Sequence, residues 1–296
     1  MVILVCYKKG VIMKEILHHT LSDTVKLIPF LLIAFLILEY IEHKMSSKSK
    51  KILINNQKFG PFVGSLLGAF PQCGFSVMAT NLFNGRVITI GTLVAIYLST
   101  SDEMLPILIS NGTSWQIVIC IILMKVVIGL LSGLGIDFIY KKKYKVKEVN
   151  EEIQEICHDD NCHCEDGIIK SALKHTISII FFILIANLLI NLIIHYIGED
   201  KISDFLLQGH YFSYFLSSLI GLIPNCASSV IITELYLNEM ITLGNMMSGV
   251  LTGSGIGILV LFRTNKDLKE NLLILALIYF IGVLSGLVID LLGVTL

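Results

Sequence analysis

Six stretches of this 296-residue chain are apolar over a length that can cross a lipid bilayer. They run over 25–41, 89–110, 115–139, 177–197, 241–262 and 272–292, against about 20 residues for a helix spanning a ~30 Å hydrocarbon core. In hydrocarbon each backbone amide must be satisfied within its own segment, so these stretches have to be helices. Composition agrees: 54% of residues are hydrophobic and 15% charged, where soluble domains carry roughly 25% charged. A net charge of -1 provides no basic surface for nucleic acid. The chain reads as an all-α integral membrane protein bathed in lipid, which excludes a cytosolic enzyme, a disordered tail and a nucleic-acid binder.

Two further apolar stretches, 60–83 and 213–236, are each interrupted in the middle by a proline, Pro71 and Pro224. Such breaks are tolerated at membrane depth only where the freed backbone is buried in protein or lines a cavity. The polar connections set the topology. Segments 42–58 and 141–147 hold five lysines each and belong in the cytoplasm by the positive-inside rule. Segment 198–209 is acidic with one lysine and 111–114 is uncharged, so both read as outside. Arg263, Lys266 and Lys269 mark a third inner loop. The N-terminus lacks the long apolar core and cleavage site of a signal peptide, and Met13 is an alternative start to Met1.

The chain repeats itself. Shifted by 153 residues without gaps, 25 of the 78 positions from Gly60 to Asp137 are identical to their partners. Pro71 meets Pro224, Cys73 meets Cys226, Ser76 meets Ser229, Gly91 meets Gly244, and Asp137 meets Asp290. The lysine-rich loop of the first half corresponds to the acidic loop of the second, so the halves should insert upside down relative to each other. That requires an odd number of crossings per half. Three full spans plus a re-entrant hairpin at each proline satisfies it, as does counting every hairpin arm, which makes ten. The expected organisation is a first repeat over 1–140, a cytoplasmic linker over 141–171 and an inverted second repeat over 172–296. Inverted repeats with broken helices meeting near the midplane are the architecture of secondary transporters.

Three clusters could carry chemistry. The first is the pair of breaks, Pro71-Gln72-Cys73-Gly74-Phe75-Ser76 and Pro224-Asn225-Cys226-Ala227-Ser228-Ser229. Across a pseudo-twofold axis they would offer two thiols, two amides and unwound carbonyls; the plainer reading is two proline kinks with capping side chains. The second is Ser101-Asp102-Glu103 inside an apolar span. An ionisable residue at that depth costs at least ~2.5–3.5 kcal/mol, and adjacent carboxylates must share a cation or a proton. The matching segment, Thr252-Gly253-Ser254-Gly255, has glycines instead of acids. Lys125, in the next span, is the obvious counter-charge. Glu234 either completes this site or lies at its outer mouth. Asp137 and Asp290 read as caps, and the Gly129/Gly133 and Gly282/Gly286 pairs as close helix packing.

The third cluster lies in the linker, where Cys157, His158, Cys162, His163 and Cys164 stand among four carboxylates in ten residues. This is a soft-to-borderline metal-binding tract whose spacing fits no zinc-finger pattern. The remaining cysteines, Cys6, Cys73, Cys120 and Cys226, lie in or beside apolar segments and suggest no disulfide framework.

The phrases Pro71-Gln72-Cys73-Gly74-Phe75-Ser76, Ser99-Thr100-Ser101-Asp102-Glu103-Met104-Leu105-Pro106 and Pro224-Asn225-Cys226-Ala227-Ser228-Ser229, with Thr233-Glu234-Leu235, resemble a family described as ten-span heavy-metal exporters. Its members are labelled arsenic-efflux-like or manganese transporters, and the resemblance runs from about Lys14 to the end. It implies a multi-pass permease of the bacterial inner membrane with paired repeats. The expected activity is export of a divalent transition metal such as manganese, or of a metalloid, with the metal as substrate and no cofactor. No nucleotide-binding motif appears, so the drive would be an ion or proton gradient. Asp102 and Glu103 would bind the cation or the coupling proton, with Lys125 as a competitor for them, and Gln72, Cys73, Asn225 and Cys226 would line the site. Rival readings are a proton-coupled permease for a small organic solute, an intramembrane enzyme with a cysteine nucleophile, and a metal-sensing receptor. The enzyme lacks a base, since no histidine lies within the spans near either cysteine. Lipid is the expected partner, and an oligomer is compatible with the sequence.

Overall fold

The computed structural model describes residues 59–70, 73–101, 104–140 and 212–294, with scattered helical positions in 21–36 and 173–189. The side chains at 73, 74, 226 and 227 lie outside that description. The expected spans over 25–41 and 177–197 fall mostly outside it, and the linker falls outside it entirely. The described residues contain helices and no strand. Helices α1 (Gly60–Gly68), α2 (Cys73–Asn84), α3 (Ile90–Ser99), α4 (Met104–Ser110) and α5 (Trp115–Tyr140) come first. They are followed by α6 (Ser213–Gly221), α7 (Cys226–Leu237), α8 (Leu243–Thr252), α9 (Gly257–Thr264) and α10 (Leu268–Leu291). Each helix of the second set starts 153 residues after its counterpart in the first: 60 to 213, 73 to 226, 90 to 243, 104 to 257, 115 to 268.

Among the described residues four segments are long and apolar enough to cross a membrane, and they form two unlike pairs. Over Trp115–Tyr140 and Leu268–Leu291 only 28% and 33% of the most apolar window is buried. Over Ile90–Ser110 and Leu243–Thr264 the figures are 81% and 83%. The continuous helices therefore form the rim and the other two the centre. On α5, Trp115, Ile119, Leu123, Val127, Leu131 and Phe138 are exposed, as a lipid-facing stripe requires. Its opposite face buries Val118, Ile121, Lys125, Gly129, Gly133 and Ile136. The corresponding positions of α10, from Asn271 to Ile289, are buried in the same way.

The central spans are broken, although the sequence over 89–110 and 241–262 reads as unbroken apolar helix. Helix α3 ends at Ser99, and Thr100 leaves the helical region at φ -58°, ψ 129°. Helix α8 ends at Thr252, and Gly253 leaves it at φ -70°, ψ 79°. The hydroxyls of Ser99 and Thr100 fold back onto the carbonyls of Ala95 and Ile96 at 2.8 and 2.7 Å. Such side-chain bonds compete with continuation of the helix. In the second half Gly255 takes φ +57°, a left-handed conformation that a glycine adopts without penalty.

Close packing holds each rim helix to its centre. A Cβ built on Gly91 would lie 2.2 Å from the carbonyl of Gly133, and one on Gly244 would lie 2.2 Å from that of Gly286. The glycine pairs are packing surfaces, as the sequence suggested. Asp137 accepts from the Gly91 amide at 3.0 Å and the Thr89 hydroxyl at 2.7 Å. Asp290 accepts from the Gly244 amide at 2.9 Å, the Tyr214 hydroxyl at 2.6 Å and the Thr242 hydroxyl. Both carboxylates cap the positive end of a central helix.

Candidate functional site

The two halves interlock through their breaks. Helix α2, which follows the first proline, packs on α9, the part of the second central span beyond its break. Reciprocally, α7 packs on α4. Exchange of equivalent elements is what a two-fold relation between halves produces. At the first contact a Cβ on Gly257 would sit 2.9 Å from that of Ser76, so only glycine admits the serine so closely. One turn along, the Thr80 hydroxyl bonds the Ser76 carbonyl at 2.7 Å, the Gly257 carbonyl at 3.2 Å and the Tyr97 hydroxyl. Thr80 and Tyr97 thus tie α2, α9 and α3 together, and both are buried. Their role was not evident from sequence, because their partners are 17 and 177 residues away from Thr80.

Lys125 is fully buried. Its ammonium donates to the carbonyl of Thr100 and, at 3.1 Å, to that of Val250. It therefore touches the broken end of the central span in both halves. Ser101 is buried in the first break and donates to the Ser99 carbonyl at 3.2 Å. Ser254, its counterpart, is 1% exposed, and its hydroxyl has no hydrogen-bond partner among the described residues. Asp102 and Glu103 lie outside the described residues, but the chain enters and leaves their position through buried Ser101 and Met104.

Of the other residues expected at the site, Ser76 and Ser229 are buried near the starts of α2 and α7. Asn225 is half-buried, and its carbonyl caps the Ser228 hydroxyl at 2.8 Å. Glu234 is exposed on α7, whereas the equivalent Asn81 on α2 is 3% exposed, and its amide nitrogen has no hydrogen-bond partner among the described residues. Gln72 and the side chains of Cys73 and Cys226 lie outside the described residues, although both cysteines head their helices. The tract from Cys157 through His158, Cys162 and His163 to Cys164 lies outside as well. Among the described residues no three His, Cys, Asp or Glu side chains converge as a metal site, and Cys120 is a free thiol.

The profile of a family described as "Putative, 10TM heavy-metal exporter" matches residues 13–197 and 145–258. The chain belongs to that family. It is accordingly a multi-pass membrane protein of a transporter family rather than of an enzyme family, and heavy-metal export is the family's described activity. No curated protein and no solved structure matches the chain significantly.

Proposed function

We propose that this protein is a secondary transporter of the bacterial inner membrane that exports a divalent transition metal, manganese-like in its ligand preference, or a metalloid. The observation that carries the reading is the position of the two breaks. They interrupt the two more buried of the four described spans at equivalent residues, and each is packed against the proline-broken element of the other half. Unwound backbone enclosed by protein is the usual substrate site of broken-helix transporters. Asp102 and Glu103 sit in one of these breaks. They bring the charge that a divalent cation needs, while Ser101, Ser76 and Ser254 add neutral oxygens suited to a hard ion.

The inverted relation of the halves is supported by where α2 ends. Asn84 donates to Thr264, and Arg86 pairs with Glu270. The start of α3 in the first half thus lies beside the α9–α10 turn of the second. In a single half those two places are at opposite ends of a span, which is the neighbourhood that antiparallel halves would give. Helices α1 and α2, of 9 and 12 residues, rise about 14 and 18 Å. Each falls short of the ~30 Å core, in keeping with a re-entrant hairpin. A growth-toxicity panel in a host stripped of its own exporters, scored against Mn, Zn, Co, Cd, arsenite and antimonite, tests the substrate class. Protection against at least one ion is expected, and sensitivity to all of them unchanged by the protein would contradict it.

A further inference from the structure

Lys125 occupies a position that the repeat fills elsewhere with a hydrocarbon. Its counterpart 153 residues later is Ile278, also fully buried. On α5 it stands on the packing face, one turn before Gly129 and two before Gly133, so aliphatic bulk alone would satisfy the site. The charge is an addition, and a lysine at this depth is costly enough that a functional reason is the default.

The surroundings of the ammonium are those of a cation site. In an unbroken helix the Val250 carbonyl would accept from the amide of Ser254, but that amide donates to Thr252 at 2.8 Å. The Thr100 carbonyl likewise stands beyond the last residue of α3. Two carbonyls at C-terminal helix ends, one from each half, therefore face the same ammonium. A helix C-terminus carries the equivalent of roughly half a negative charge. Carbonyls and half-helix ends of this kind are what hold coupling cations in broken-helix transporters. In the same break as Val250, Ser254 keeps a buried hydroxyl with no partner among the described residues.

We infer that Lys125 is a tethered cation, held at the meeting of the two broken helix ends, which the transported metal ion must displace. The inference rests on the metal-export reading for the identity of the displacing ion, though not for the existence of the cation site. Displacement does two things at once. It clears a positive charge from the two broken helix ends, and it unties Thr100 in one half from Val250 in the other. Metal loading thereby releases a bond between halves that have to move relative to each other. A lysine serving only as a structural staple would make the same two hydrogen bonds without competing for the ion.

Two measurements on the full chain in lipid nanodiscs separate these roles. Equilibrium binding of Mn²⁺ and of Cd²⁺ is compared in wild type, Lys125→Met and Lys125→Arg. Removing the competing charge should tighten metal binding about tenfold or more, and retaining it as arginine should not. Affinity unchanged or weakened in Lys125→Met would overturn displacement. Thermal stability of Lys125→Ala is then followed with n-butylammonium, using n-butanol as the uncharged control. Stabilisation by the ammonium and not by the alcohol is expected, and equal or absent effects would overturn the cation site. Metal binding by none of the three proteins would count against the metal-export reading alone, and the butylammonium result would still decide the inference.

Discussion

Arg86 and Glu270 form a two-pronged ion pair between the halves, with the guanidinium nitrogens 2.8 and 3.2 Å from the carboxylate oxygens. The arginine occupies the turn after α2 at φ +56°. Its amide bonds back to Phe83 and that of Val87 bonds back to Leu82, both as in a Schellman stop. Glycine is the usual choice there, so an arginine accepts backbone strain to place its side chain across the interface. Asn265 adds a bond to the same carboxylate at 2.8 Å and one to Asn271. At the equivalent place of the other half stand Glu239, also at positive φ (+57°) and exposed, and Ile117. The repeat thus carries this ion pair on one side only, next to the lysine- and arginine-bearing turn expected to face the cytoplasm.

Glu270→Gln should destabilise the folded protein by about 2 kcal/mol. Breaking a buried pair costs roughly 3–5 kcal/mol, reduced here because the arginine side chain is 25% exposed and the glutamate 5%. Arg86→Gln with Glu270→Gln together should cost less than the two changes summed, which a double-mutant cycle by chemical unfolding in detergent measures. Additive losses would mean that the pair stabilises nothing.

The glycine contacts make a sharp contrast available. Gly91→Ala and Gly244→Ala place a methyl group against backbone carbonyls that cannot move aside. Little folded protein is expected from either, read as the monodisperse fraction on size exclusion. At Gly135, where a Cβ meets nothing within 4 Å, alanine should be neutral or stabilise by up to about 1 kcal/mol through helix propensity.

Asp137→Ala and Asp290→Ala should behave alike, each leaving a helix-end amide without its acceptor at a cost of about 1–3 kcal/mol. Asparagine at either position should recover most of that, since it keeps one oxygen for the Gly91 or Gly244 amide. Thermal midpoints of the four variants test the equivalence. A loss at one aspartate alone would show that the caps do different work.

Much of this arrangement was legible in the sequence, for physical reasons. The rim helices 115–140 and 268–291 are long and strongly apolar, so the few polar residues on them do not hide a span. The repeat is visible as identities because Gly91 and Gly133 pack where a side chain has no room and Asp137 accepts from a helix-end amide, and so do their counterparts. The break after Thr252 was hidden, because threonine, serine and glycine barely lower the hydropathy of a window, while the one after Ser99 was marked by Asp102 and Glu103 only as a charge within an apolar span. Lys125 was visible as a buried charge, but the carbonyls of Thr100 and Val250 that it bonds belong to the main chain, which leaves no mark on a sequence. Arg86 and Glu270 are 184 residues apart, and each alone resembles an ordinary loop charge.

The cysteine- and histidine-bearing tract should bind metal without forming part of the path. Serine at Cys157, His158, Cys162, His163 and Cys164 together should lower total bound metal while leaving initial flux in vesicles within about twofold. Loss of flux in correctly inserted protein would bring the tract into the transport pathway itself.

On the proposed function, the exported ion binds at the charged break in the first half. Metal flux into everted proteoliposomes, with Mn²⁺ and Cd²⁺ as parallel probes and an imposed proton gradient, addresses it directly. Asp102→Asn should abolish flux and equilibrium binding together, while the protein remains inserted and monodisperse. Flux of every tested ion at the wild-type rate in the double variant Asp102→Asn, Glu103→Gln would contradict the claim.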